Sequence, residues 1–223
     1  MNRSTLRAVL FDLDGTLLDT APDLIRVLNQ VRVEQGREPL PWELVRTQVS
    51  HGSSGLIRLG FPDLSGTALE TLRLRLLELY SAQLAVGTQL FAGCQQVLDQ
   101  LAARGMPWGI VTNKPAFLTT PLLAALGLDR VAGCVVSGDT LPQRKPHPAP
   151  LLLAAQQLSL SPAQCLYVGD AERDVQASRA AGMPVLVARY GYLGPDDDPV
   201  GWHPDGQIDS PTQIIDWLDM DRS

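Results

Sequence analysis

The chain has 223 residues, 45% of them hydrophobic, and its 24 acidic side chains outnumber 18 basic ones to give a formal net charge of −6 at pH 7. That length can bury a full core, and the acidic balance excludes the basic face that a nucleic-acid binder presents. No apolar run is long enough to span a bilayer, and the N-terminal run is short and ends in two aspartates, so no signal peptide is expected and the cytoplasm is the expected compartment.

The first predicted element is a strand at Ala8-Val9-Leu10-Phe11, an unbroken apolar run of the kind that is covered on both faces. Asp12 and Asp14 follow at i and i+2, so on an extended chain their side chains point the same way. Gly15 then allows a sharp turn. Two like charges held that close need a shared cation or proton, which marks the pair as a candidate acid/base or nucleophile site. By itself the unit reads equally as a strand-to-turn junction, where Asp and Gly are common.

Residues 20–89 read as helical. Thr20 with Asp23 forms a capping-box pattern before Leu24, Leu28 and Val31, and Thr67 with Glu70 repeats it before Leu69, Leu72, Leu76 and Tyr80. Between them lies a glycine/serine turn, Ser50-His51-Gly52-Ser53-Ser54-Gly55. The expected organisation is a core made of 1–19 and 90–223 with a helical domain, 20–89, inserted after the first strand.

Beyond residue 90, short β-rich runs alternate with helical patterns. Strands are predicted at Trp108–Val111, Cys134–Val136, Leu166–Val168 and Pro184–Val187, and helices at Cys94–Arg104, Pro115–Leu126 and Arg173–Ala181. Each helix stops at a glycine (Gly105, Gly127, Gly182) suited to the position just past a helix end. The alternation predicts an α/β fold, a Rossmann-like parallel sheet with helices on both faces. The stretch Gly194–Gly206, with Asp196-Asp197-Asp198, reads as a loop with a solvated acidic run. Cys94, Cys134 and Cys165 lack metal or disulfide spacing and are expected to be buried free thiols. His51, His147 and His203 are isolated, each expected at the surface or in a loop. Among the basic residues only Lys114 and Lys145 are lysines, which suggests that a compact ammonium is needed at those two places.

Polar residues follow the strands: Asp12, then Thr112-Asn113-Lys114, Ser137-Gly138-Asp139 and Gly169-Asp170. In open α/β sheets the site lies beyond the carboxyl ends of the strands, so Asp12, Asp14, Thr112, Asn113, Lys145, Asp170 and Asp174 are expected to converge. The three acidic residues at two strand ends suit a hard cation, Mg²⁺. A carboxylate beside it can act as a nucleophile on phosphorus, with a hydroxyl, an amide and an ammonium around the transferred oxygens.

Asp12-x-Asp14-Gly15-Thr16, Val111-Thr112-Asn113-Lys114, Lys145-Pro146 and Gly169-Asp170-x-x-x-Asp174, in that order, resemble the four motifs of the haloacid dehalogenase superfamily. The helical insertion resembles that family's cap domain, of the type found in phosphoglycolate phosphatases. The resemblance implies an Mg²⁺-dependent phosphomonoester hydrolase working through an aspartyl-phosphate. It implies that Asp12 is the nucleophile and that Asp14 moves protons. Thr112 and the backbone of Asn113 would bind phosphoryl oxygens, and Lys145 would neutralise charge. Asp12, the backbone carbonyl of Asp14 and Asp170 would hold the metal, with Asp174 orienting them from behind. His51, Gly52 and Ser53 stand where relatives carry a substrate-facing loop. Lys114 is placed at the entrance, and Arg58 is a candidate for a substrate carboxylate.

Trp108–Pro115, Arg189–Tyr192 and Pro199-x-x-Trp202 look particularly like relatives that act on N-acetylmuramic acid 6-phosphate. The substrate implied is a small phosphorylated metabolite, 2-phosphoglycolate or N-acetylmuramic acid 6-phosphate, with no nucleic-acid or membrane partner and a monomeric or homodimeric state. A dehalogenase lacks the second aspartate, and a phosphonatase needs a cap lysine that the insertion does not contain. A sugar-phosphate mutase shares the same core motifs. A receiver-like phospho-Asp signalling module is the reading from a different class, disfavoured because the Asp12/Asp14 unit opens the chain.

Overall fold

A computed structural model describes residues 5–220. The chain opens with β1 (Ala8–Phe11), and then β2 (Leu18–Asp19) pairs antiparallel with β3 (Gln89–Leu90). Four helices lie between those two short strands: α1 (Ala21–Glu34), α2 (Trp42–Arg46), α3 (Gly52–Gly60) and α4 (Gly66–Ala82). Alternation then takes over, with α5 (Cys94–Ala103), β4 (Trp108–Val111), α6 (Ala116–Ala125), β5 (Cys134–Val136) and α7 (Ala149–Gln157). The chain closes with β6 (Cys165–Gly169), α8 (Glu172–Ala181), β7 (Val185–Ala188), β8 (Gly206–Ile208) and α9 (Gln213–Asp219).

The main sheet is parallel, in the order β5-β4-β1-β6-β7-β8. The unbroken apolar run of β1 has a simple cause. Val9 and Phe11 pack with α5, α6 and α9 on one face, while Ala8 and Leu10 pack with α7 and α8 on the other. With helices on both faces, no position on this strand meets water. The helical segment has an apolar cluster of its own, in which Leu24, Leu28 and Val31 of α1 meet Leu56 and Ile57 of α3 and Leu72, Leu76 and Tyr80 of α4. Leu118 and Tyr192 join it from the sheet-bearing part. Among the described residues no helix is long and apolar enough to cross a membrane.

The strands at Ala8–Phe11, Trp108–Val111 and Cys134–Val136 form with the predicted bounds, β6 is one residue longer at each end, and β7 is shifted by one. Gly105, Gly127 and Gly182 all take positive φ at the ends of their helices. Both capping boxes are overturned. Thr20 precedes α1 but makes no cap bond; its hydroxyl donates to Asp14 instead, and Asp23 accepts from Gly87 and Thr88. Thr67 lies inside the first turn of α4, and Glu70 pairs with Arg73. In the first box Thr20 and Asp23 are engaged by partners outside the helix end, and in the second Glu70 pairs with Arg73 one turn further along α4. The predicted loop ends in a sixth strand, β8, which pairs with β7 through Leu186 and Gly206.

Candidate active site

The site gathers at the carboxyl edge of the sheet, beside β1, where the strand order reverses. Asp12 directly follows β1. Its amide donates to the carbonyl of Val168 at 2.8 Å, and its Oδ1 accepts from the Leu13 amide at 2.7 Å. The turn comes at Gly15, with φ of +85°. A Cβ there would lie 2.7 Å from Cγ of Asp170 and 2.8 Å from Cδ2 of Tyr192. Glycine alone suits both the backbone conformation and the space.

Lys145 is buried, and its Nζ lies 2.9 Å from Oδ1 of Asp12 and 2.7 Å from Oδ1 of Asp174. The same ammonium donates to the carbonyl of Val111 and to the hydroxyl of Tyr167, each at 2.8 Å. An unpaired ammonium at this depth would cost several kcal/mol; four oxygens, two of them on carboxylates, offset that. Asn113 fixes the backbone of Lys145, since its Nδ2 donates to the Lys145 carbonyl at 2.9 Å and its Oδ1 accepts from the Lys145 amide at 3.0 Å. Thr112 is buried next to it, with Oγ1 accepting from the Lys114 amide at 3.1 Å.

Asp12, Asp170 and Asp174 are buried, and their ligand atoms lie within 4.8 Å of one another. Oδ2 of Asp170 accepts from the hydroxyl of Ser50 and the amide of Tyr192, whereas its buried Oδ1 has no hydrogen-bond partner. Burial, with Asp12 and Asp174 nearby, pushes the Asp170 carboxyl up to about 7. Burial also raises Asp12, against the opposing pull of Lys145. Crowded carboxylates around an orphaned oxygen make a donor set that fits a hard divalent cation. Asp174 is a member of this cluster, with Oδ1 facing Lys145 and Oδ2 accepting from the Ala171 amide at 3.1 Å. The side chain of Asp14 stands outside it, facing Thr20 and Lys114.

In front of these residues is a cavity of about 600 Å³. Asp12, Asp14, Thr112, Asn113, Lys145 and Arg173 line it from the sheet side, and His51, Gly52, Ser53, Arg73 and Tyr80 line it from the helical segment. The structure therefore brings Asp12, Asp14, Thr112, Asn113, Lys145, Asp170 and Asp174 together, with residues 51–53 opposite. One placement is corrected and another sharpened. Arg58 is exposed on α3 and is not part of that lining. Lys114 does line the cavity but is buried within it, its Nζ 2.8 Å and 3.1 Å from the two oxygens of Asp14. Asp14 draws the ammonium inward, and the ring of Tyr80 covers it.

Three further residues belong to the site. Arg173 places Nη2 3.8 Å from Oδ2 of Asp12, and its buried Nε has no partner. Tyr167 joins Lys145 to the carbonyl of Val111. Ser50 reaches Asp170 from the helical segment. Arg173 falls within the motif Gly169–Asp174 and so had a signal; Tyr167 sits in an apolar strand and reads as core. The cysteines are free and buried, and burial raises Cys94 and Cys134 to about 12 and Cys165 to about 11, so none is a ready nucleophile.

A family model described as haloacid dehalogenase-like hydrolase matches residues 9–188. A phosphoglycolate phosphatase of Xanthomonas campestris is 45% identical over 208 residues, covering 93% of this chain and 94% of its own. An N-acetylmuramic acid 6-phosphate phosphatase of Pseudomonas aeruginosa is 39% identical over 220 residues, covering 98% and 97%. The crystal structure of a predicted phosphoglycolate phosphatase from Haemophilus somnus superposes with a TM-score of 0.85 at 28% identity, over 96% of this chain and 98% of that one.

Proposed function

The chain belongs to the haloacid dehalogenase-like hydrolases, and from that premise we propose that it is an Mg²⁺-dependent phosphomonoester hydrolase acting through an aspartyl-phosphate on Asp12. One observation carries the reading. Asp12, Asp170 and Asp174 converge with one Asp170 oxygen unpartnered, and Asp12 faces a cavity also lined by Thr112, Asn113 and Lys145. Family membership sets aside the receiver-like reading.

Lys145 and the Leu13 amide hold Oδ1 of Asp12, which fixes the carboxylate plane and leaves Oδ2 as the oxygen presented for attack. A bond forms from Oδ2 to phosphorus while the ester P–O bond breaks, and Asp14 gives a proton to the departing oxygen. Asp14 then takes a proton from water, which attacks the same phosphorus and returns Asp12 with inorganic phosphate. Thr112 and the Asn113 backbone donate to the phosphoryl oxygens, and Lys145 and Arg173 balance their charge. Asp12, Asp170 and the carbonyl of Asp14, with Asp174 beside them, would hold Mg²⁺, which would supply further positive charge to those oxygens. Residues 20–89 act as the cap that selects the substrate.

Between the two substrates named for the relatives, the cavity volume favours the larger. A two-carbon phosphate leaves much of about 600 Å³ unfilled, whereas a sugar phosphate is of the size such pockets enclose. The test is a steady-state panel of N-acetylmuramic acid 6-phosphate, 2-phosphoglycolate and hexose phosphates, with chelator and Mg²⁺ add-back, on the native protein and Asp12→Asn. Release of inorganic phosphate should require Mg²⁺ and vanish in folded Asp12→Asn, with the sugar phosphate preferred. Turnover in Asp12→Asn would falsify the mechanism, and isomerised hexose phosphate in place of inorganic phosphate would identify a mutase.

A further inference from the structure

The chain contains two lysines, and each meets one of the two motif aspartates. Lys145 pairs with Asp12 at 2.9 Å and Lys114 with Asp14 at 2.8 Å. Lys145 has a role in the chemistry already described. Lys114 has none, although 94% of its side chain is withdrawn from solvent.

Its surroundings are built, not incidental. The backbone of Lys114 is tied on three sides, donating to Oγ1 of Thr112 and accepting from the Gly138 amide and the Thr119 hydroxyl. The ammonium contacts both oxygens of Asp14. On its other side the ring centroid of Tyr80, from α4, lies 4.8 Å away, within cation–π range. Oδ1 of Asp14 accepts a second bond, from the Thr20 hydroxyl at 2.6 Å, just before α1. The orientation of Asp14 is thus set by one residue of the sheet side and two at the helical segment.

We propose that Lys114, backed by Tyr80, is a positioning residue that holds the Asp14 carboxyl in place for proton transfer and ties that placement to the seating of α4. The inference rests on Asp14 being the proton-transfer residue. Lys114 lines the cavity beside Asp14, but its ammonium is engaged by both oxygens of that carboxyl and by the Tyr80 ring, so it acts through Asp14 and not on the phosphoryl group. Loss of the contact frees the Asp14 side chain to leave the line of the departing oxygen, and misplacements of about 1 Å cost up to roughly 10²-fold in rate.

A double-mutant cycle with p-nitrophenyl phosphate and an alkyl phosphate tests this, using Lys114→Met, Tyr80→Ala and Asp14→Asn, with folding followed by circular dichroism. With Asp14 present, Lys114→Met should lower kcat about 10- to 100-fold with KM little changed, and Tyr80→Ala should do the same to a smaller degree. In the Asp14→Asn background neither should cost more than about twofold, because the group they position no longer transfers protons. Tyr80→Phe, which keeps the ring over the ammonium, should lose less kcat than Tyr80→Ala. Equal fold-losses in both backgrounds, or a raised KM with unchanged kcat, overturns the proposal. If Asp14→Asn alone keeps full turnover, the assignment of Asp14 fails first, a result separable from failure of the lysine's role.

Discussion

Ser50 donates its hydroxyl proton to Oδ2 of Asp170 across 2.7 Å, a bond between residues 120 positions apart. The Tyr192 amide donates to the same oxygen at 2.9 Å. Oδ2 is therefore saturated from behind, and the unpartnered Oδ1 is the oxygen left for a cation. Ligand carboxylates held in this way lose roughly 10- to 100-fold in metal affinity when the supporting donor is removed. Ser50→Ala should raise the Mg²⁺ concentration needed for half-maximal turnover by about tenfold, with the same kcat at saturating metal. Titrating the rate with Mg²⁺ checks this, and an unchanged midpoint counts against it.

Tyr192 also closes the start of α1. Its hydroxyl accepts from the amides of Thr20 and Ala21 at 2.7 Å and 2.9 Å and donates to Oδ1 of Asp19 at 2.8 Å. Tyr192→Phe leaves the Thr20 amide without its acceptor and the Ala21 amide with only Oδ1 of Asp19, at 3.3 Å, at a buried helix start, a loss of about 2 kcal/mol. For a chain of this size that lowers Tm by roughly 4–8 °C. Differential scanning calorimetry measures the shift, and hydrogen exchange should quicken first in the opening turn of α1.

Asp23 carries the pH dependence. Burial alone would raise its carboxyl, but hydrogen bonds from Arg26, from the Thr88 hydroxyl and from the Gly87 and Thr88 amides outweigh it and hold the group below the usual carboxylate range. A depressed native value stabilises the fold while the unfolded carboxyl is ionised, above about pH 4, and the benefit disappears as pH falls through the native value. Asp23→Asn, which loses the charge and one acceptor, should therefore be about 1–3 kcal/mol less stable at pH 7. The gap from the native protein should narrow below about pH 4. Urea unfolding of both proteins across that range reads it directly; a gap that stays constant to pH 2 refutes the assignment.

The parts of the fold visible in the sequence are those whose residues answer to burial alone. β1, β4 and β5 are covered on both faces, so an unbroken apolar run announces them. β8 is at the sheet edge and contains Gly206 and Gln207, so its backbone pairing with β7 leaves no mark in side-chain pattern. Thr20 and Asp23 match a capping box by type and spacing, yet each found a partner distant in sequence or across a turn, which a local pattern does not contain. The residues of the site's floor were legible because phosphoryl chemistry needs those groups at strand ends. Ser50 and Tyr167 were not, because a serine in a turn and a tyrosine in a strand have bland roles almost everywhere. The scarcity of lysine was informative: both ammonium groups lie inside, each against a carboxylate.

Leu18 pairs with Leu90 and Asp19 with Gln89, so the strand that leaves the sheet-bearing part and the strand that returns run side by side, with Cα atoms about 5 Å apart. A stretch whose two ends are neighbours can be exchanged for one of another length, or for a tight turn, without rethreading anything else. Arg73, Tyr80 and His51 would leave in such an exchange, while Asp12, Lys145 and Asp170 would stay. A new selectivity can therefore be acquired by recombination at one narrow neck of chain, provided the incoming wall again supplies the contacts that Ser50 makes to Asp170 and that Thr20 and Tyr80 make around Asp14.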